Sequence, residues 1–165
     1  FRYLKISSPR SGKTVTITNS TFSNNNASSN GGAIYNAGTL NIKADNGTTS
    51  FSGNTAGGSS NAIYLDGGTL NLNAGNGGSI VFNDKITSNS ILNVININAG
   101  SSLTNGTVSI KDGMSKVTAE LYNGVLNIGQ SETSNIVFDN VVLDLSGGTA
   151  SITNTNFINN SKLVN

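Results

Sequence analysis

The side chains able to do chemistry are few and of one kind. Eight carboxylates, Asp45, Asp66, Asp84, Asp112, Glu120, Glu132, Asp139 and Asp144, stand in a chain with no histidine and no cysteine. There is therefore no imidazole base, no thiolate nucleophile and no disulfide. What remains is carboxylate chemistry: glycoside cleavage by two acids, or calcium held by several hard oxygens. Either needs acids converging on one point. No Asp-Asp or Asp-x-Asp pair occurs, Asp66 and Asp84 fall in different turns of one unit, and Asp139 and Asp144 flank an expected corner. Gly75-Asn76-Gly77-Gly78-Ser79 lacks the acid of a calcium-binding nonapeptide and reads as a turn. The expectation is a chain with no catalytic residue, no metal site and no cofactor.

A net charge of +1 with only 10% charged residues leaves no basic face for nucleic acid. No apolar run reaches the ~18–20 residues of a membrane span. The chain opens at Phe1 without a basic segment and apolar core of the secretory type, and is expected to be a piece of a longer mature protein. Residues 1–13 hold the one proline, Pro9, and the basic residues Arg2, Lys5, Arg10 and Lys13, and read as a solvated lead-in.

The elements that must position any site come from a repeat. Ala33-Ile34-Tyr35 returns as Ala62-Ile63-Tyr64, Gly38-Thr39-Leu40-Asn41-Ile42 as Gly68-Thr69-Leu70-Asn71-Leu72, and Ser50-Phe51 as Val81-Phe82. All three anchors move by about 29–31 residues, the kind of fixed period that marks a stacked-repeat architecture. Each unit holds three short apolar runs separated by Gly/Asn/Ser turns, which reads as one coil of a three-sided parallel β-helix. No window carries a helical period.

Continued down the chain, the pattern predicts two ladders of inward side chains. One runs Leu40, Leu70, Ile95, Leu126; the other Phe22, Phe51, Phe82, then Val108 or Ile110, then Phe138. Thr14–Asn25 and Thr149–Asn160 match nearly residue for residue, so Ile17 is expected at the rank of Ile152 and Phe22 at that of Phe157. The last coil, on a period of about 19, is expected to be smaller. Among the 28 asparagines, Asn25, Asn54, Asn140 and Asn160 each follow a ladder aromatic. They are expected to stack their amides from coil to coil, or to take left-handed backbone at corners. The Asn-x-Ser/Thr triplets at Asn19, Asn26, Asn46, Asn105 and Asn159 follow from the composition.

Phe22-Ser23-Asn24-Asn25 followed by Gly31-Gly32-Ala33-Ile34-Tyr35 resembles the Phe-x-x-Asn / Gly-Gly-Ala-Ile pair of the polymorphic outer-membrane protein repeats of autotransporter passengers. The pair recurs in degraded form as Phe51-Ser52-Gly53-Asn54 with Asn61-Ala62-Ile63-Tyr64. Phe157-Ile158-Asn159-Asn160 repeats its first half, and Val81-Phe82-Asn83-Asp84-Lys85 breaks it, with Lys85 where Asn would sit. The resemblance implies a bacterial cell-surface or secreted passenger with a right-handed parallel β-helix, exported through a C-terminal outer-membrane barrel and commonly adhesive. No barrel-like stretch lies in this chain.

The expectation is thus one all-β domain over residues 1–165, a right-handed single-stranded parallel β-helix of about five to six coils, with repeats over 14–160. It is expected to be a non-catalytic adhesive stalk whose partners are protein or glycan molecules on a host or neighbouring cell. The turns Ala56–Ser60, Asp84–Ser90 and Asp112–Lys116 are its expected contact loops. A second reading is a self-assembling extracellular filament, because a solenoid has two open strand edges and few charges guard them here. A third, lesser reading is an enzyme acting on polysaccharide. Ice binding needs a Thr-x-Thr rank repeated on every coil, and only Thr14-x-Thr16-x-Thr18 fits.

Overall fold

The computed structural model describes residues 6–7, 11–99, 106–129 and 135–165. Arg2, Lys5, Pro9, Arg10, Asn105 and Glu132 lie outside them. Among the described residues there is no helix, hence none long and apolar enough to cross a membrane. The regular structure is all β-strand. Ile34–Asn36, Thr39–Asp45 and Thr48–Ser52 follow one another across two-residue gaps, Ala37-Gly38 and Asn46-Gly47. None pairs with its sequence neighbour. Each runs parallel to its counterpart one unit later: Ile34 opposite Ile63, Leu40 opposite Leu70, Phe51 opposite Phe82. A parallel pair needs a connection of a dozen residues or more, and the rest of the unit supplies it.

Three strand stacks result. The first runs Ile6–Ser7, Ile34–Asn36, Ile63–Leu65, Ile86–Ser88 and then into Gly113–Leu121, Ile136–Asp144 and Thr155–Ile158. The second runs Thr14–Thr18, Thr39–Asp45, Thr69–Gly75 and Val94–Ile97, then the far ends of the same two long strands and Lys162–Val164. The third holds Thr21–Ser23, Thr48–Ser52, Ser79–Phe82, Thr107–Ile110, Val125–Ile128 and Thr149–Ile152. Gly113–Leu121 and Ile136–Asp144 each serve two stacks, so the sheet they join curls around a corner. Among the described residues the first and second stacks are seven strands deep and the third six.

Period-two alternation sends every second side chain inward. Leu40, Ile42 and Ala44 are fully buried while Asn41 and Lys43 face out. The inward residues of all three stacks form one apolar cluster. Within it Phe22, Phe51 and Phe82 stack nearly parallel, with ring centroids 4.8 and 4.7 Å apart. Burying each such side chain contributes about 1.5–3 kcal/mol.

Two ladder assignments made from sequence are corrected. Leu126 does not follow Ile95; it pairs with Val108 in the third stack, and Ala119, Leu143 and Leu163 continue the Leu40 ladder. Phe138 does not follow Ile110; it joins Ile34, Ile63, Ile86, Met114 and Phe157 in the first stack, while Ile128 and Ile152 extend the Phe ladder. Hence Ile17 and Ile152, and Phe22 and Phe157, stand on different stacks. The cause is contraction: strand partners fall from Leu40↔Leu70 to Ile95↔Ala119 to Leu143↔Leu163, so a register counted at constant period drifts by a whole side. The short closing unit is present, with Phe138 opposite Phe157.

Asparagine works in two distinct ways. Nine of the ten non-glycine residues with positive φ among those described are asparagines, Asn140 and Asn160 included, so corners are where Asn is used for its backbone. The tenth, Lys116, stands at the same corner as Asn140 one strand earlier. Asn25 and Asn54 instead are buried and bonded amide to carbonyl, Asn25 Nδ2 to Asn54 Oδ1 at 2.8 Å. Asn54 Nδ2 then donates to Asp84 Oδ2 at 2.6 Å, so Asp84, not Lys85, takes the third rung. Outside, Asn41, Asn71 and Asn96 form a second ladder, with bonds of 2.7 and 2.8 Å.

Candidate functional site

Among the described residues, a short excursion leaves the regular stacks after Asn54. Thr55-Ala56 and Ser59-Ser60 form an antiparallel hairpin, with Thr55 opposite Ser60 and Ala56 opposite Ser59. Gly57 and Gly58, at φ 56° and 79°, make its two-residue turn. Positive φ at both central residues is the geometry that matches strand twist in tight hairpins. Asn61 N–H donates to Asn54 O at 2.9 Å and closes the base. A Cβ on Gly32 would sit 2.4 Å from Asn61 O and 2.6 Å from Thr55 N, so the hairpin passes where only a glycine leaves room.

Beside the hairpin lies an open groove of about 420 Å³. Asn30, Ser59 and Ser60 line its hairpin side; Lys85, Thr87, Ser115 and Asp139 come from the outward faces of the first stack. Thr87, Ser115 and Asp139 belong to successive strands, with Ser115 directly opposite Asp139. One strand earlier, opposite Thr87, stands Tyr64. Gly113, at φ 104°, is held to glycine by the Val137 carbonyl, 2.1 Å from where a Cβ would lie.

Two hydrogen bonds at Ser60 fix the hairpin over the stack. Its hydroxyl donates to Asp112 Oδ2 and accepts the Lys85 N–H at 3.2 Å. Tyr64 is fixed through its neighbour. Tyr35 stacks on it at 5.5 Å, and the Tyr35 hydroxyl donates to Asp66 Oδ2. That bond pushes the Tyr35 phenol up to about 12, with burial and the Asp66 charge adding to it. Asn89 Nδ2 holds the other Asp66 oxygen.

All three stretches expected to carry contacts meet at this groove, but only one is a loop. Asp84–Ser90 contains the strand Ile86–Ser88, with Ile86 and Ser88 buried and Thr87 outward. Asp112–Lys116 opens the nine-residue strand Gly113–Leu121, with Met114 buried. Both lacked the apolar signature of the first units and read as interruptions; both are rungs. Asp84 is buried too, its carboxylate accepting the Gly53 and Asn54 N–H groups at 2.8 and 3.0 Å.

The remaining described acids are likewise engaged. Asp45 accepts Asn76 Nδ2 at 2.6 Å, and Asp139 accepts Asn159 Nδ2 at 2.8 Å. One pairing was missed: Glu120 and Asp144 are strand partners on the outer second stack. Their spacing equals the contracted period there, and counting in that period would have revealed it. They lie in line with the Asn41–Asn71–Asn96 ladder, away from the groove. The Tyr122 hydroxyl donates to Glu120 at 2.6 Å, which raises the Tyr122 pKa, and the Ser146 N–H lowers that of Asp144. Among the described residues no three acidic side chains group as metal ligands.

Scanned against models of known families, the chain matches none, and no curated protein or solved structure matches it either.

Proposed function

We propose that the chain is one section, over residues 14–160 and their flanks, of a right-handed single-stranded parallel β-helix, and that it works as a non-catalytic adhesive stalk of a bacterial surface or secreted, autotransporter-like passenger. The observation carrying this is the in-register run of inward residues through all three stacks into one apolar cluster. A rod in which backbone groups pair from strand to strand is stiff and resists proteolysis. The described acids, spent on internal hydrogen bonds, favour presentation over chemistry, and the first two Phe-x-x-Asn segments stack Phe22 on Phe51 and bond Asn25 to Asn54. The test is adhesion: beads coated with the chain should bind cells and withstand trypsin, whereas uncoated-level binding would reject the adhesive role.

End-to-end association is a second reading with its own observation. The last unit leaves Ile152, Leu163 and Val164 between 36% and 53% exposed, although Ile152 and Leu163 occupy inward ranks. Sedimentation at rising concentration tests it. Filament growth that Leu163→Lys abolishes supports assembly; a monomer at all concentrations rejects it.

A further inference from the structure

We infer that the groove between the Thr55–Ser60 hairpin and the first strand stack binds a neutral glycan chain, with Tyr64 as its aromatic platform. The inference rests on the adhesive reading and names the class of ligand that reading leaves open. Three features carry it. The first is charge. The groove's lining brings one cation, Lys85, and one anion, Asp139, which already accepts the Asn159 amide. Neither sign dominates, so neither phosphate-rich nor strongly acidic polymers are favoured. The second is the kind of polar group. Asn30, Ser59, Thr87 and Ser115 present amides and hydroxyls, which both donate and accept, as a chain of sugar hydroxyls requires. The third is Tyr64. Its ring stacks on Tyr35 on one side, and its neighbour on the next strand is the small, groove-lining Thr87. An aromatic ring one strand before a polar trough suits the C–H face of a pyranose. Tyr64, Thr87, Ser115 and Asp139 recur at the ~4.8 Å strand spacing, close to the length of one sugar ring, so a chain lying along the stack meets one rung per unit.

The test uses the full 165-residue chain on an array of neutral hexose and N-acetylhexosamine oligosaccharides of several lengths, with sialylated and sulfated members beside them. Tyr64→Ala removes the platform, Ser115→Trp fills the trough, and Lys43→Ala alters the second stack as a control; circular dichroism and thermal melting check each fold. The chain should bind neutral members, and both groove variants should weaken binding at least about tenfold, with Lys43→Ala unchanged. Absence of neutral binding, preference for the acidic members, or unaltered affinity in folded groove variants would overturn the inference. Cell adhesion separates the two levels. If beads hold cells while no oligosaccharide binds, the partner is protein and the glycan groove falls alone; if oligosaccharides bind and cells do not, the adhesive role falls and the groove stands.

Discussion

Asparagine 54 shows how a single polar residue can be structural. Its amide bonds Asp84 and the Phe22 carbonyl, and its Oδ1 receives the Asn25 amide and N–H, all buried. Asn54→Ala removes every one of these partners at once and leaves Asp84 facing a void. A loss of about 1–3 kcal/mol is expected in urea unfolding, and a neutral result would remove the ladder as a source of stability. Lys116 makes the opposite prediction. It holds φ 56° without the glycine or asparagine that other corners use. Lys116→Gly should therefore stabilise by up to about 1 kcal/mol, read in the same experiment. The role of Asn25 and Asn54 was legible, since each follows a ladder Phe by three residues. That Asp84 would extend them was not, because it sits one residue short of that spacing. Tyr35 gives a titration test. A phenol whose folded pKa lies above its unfolded value of 10.0 stabilises the fold fully below pH 10 and loses that contribution as pH rises towards about 12. Absorbance titration should show a late tyrosinate step that Tyr35→Phe deletes and Asp66→Asn moves down; a step unchanged by both would contradict the bond.

At the scale of elements, the hairpin is separable from the stacks it leans on. Gly57→Val with Gly58→Val forces two β-branched residues into left-handed backbone, at roughly 1–2 kcal/mol each. Hydrogen exchange should then lose protection at the Asn61 N–H while Leu70 and Phe82 amides keep theirs. Loss across all of them would mean that the hairpin is part of the core. This element was half readable. Gly57-Gly58 between small residues announces a turn, but nothing local says that Ser60 will reach Asp112, which the chain brings back only after two further passes around the stacks. Ile86–Ser88 and Gly113–Leu121 were misread for a related reason. Stretches such as Ile86–Ser88 and the first residues of Gly113–Leu121, where a Ser or a Met sits among the inward residues, carry too little apolar contrast to be told from loops, and only pairing with their neighbours identifies them.

The whole molecule is an accumulation of such neighbour pairings, which is why its first two units were legible to the residue and its later ones were not. Equal spacing made Leu40, Leu70, Phe51 and Phe82 fall into register by inspection, and each is 0% exposed. Phe51→Asp or Leu70→Asp would place a carboxylate in that dry interior at a cost of several kcal/mol. Loss of the β circular dichroism signal is expected in both, and its retention in both would contradict the interior assigned to them. Once the period shortens, the same residue types recur on a different side, and Leu126 moves from one stack to another. That displacement offers the sharpest check, because the chain has no cysteine of its own and disulfides report strand neighbours directly. Asn127 lies opposite Ser151 in the structure, both exposed, whereas a constant period would set it beside Asn96. Parallel stacking in the register described requires Asn127→Cys/Ser151→Cys to close a disulfide on mild oxidation and Asn96→Cys/Asn127→Cys to stay reduced. Cross-linking of the second pair and not the first would contradict it.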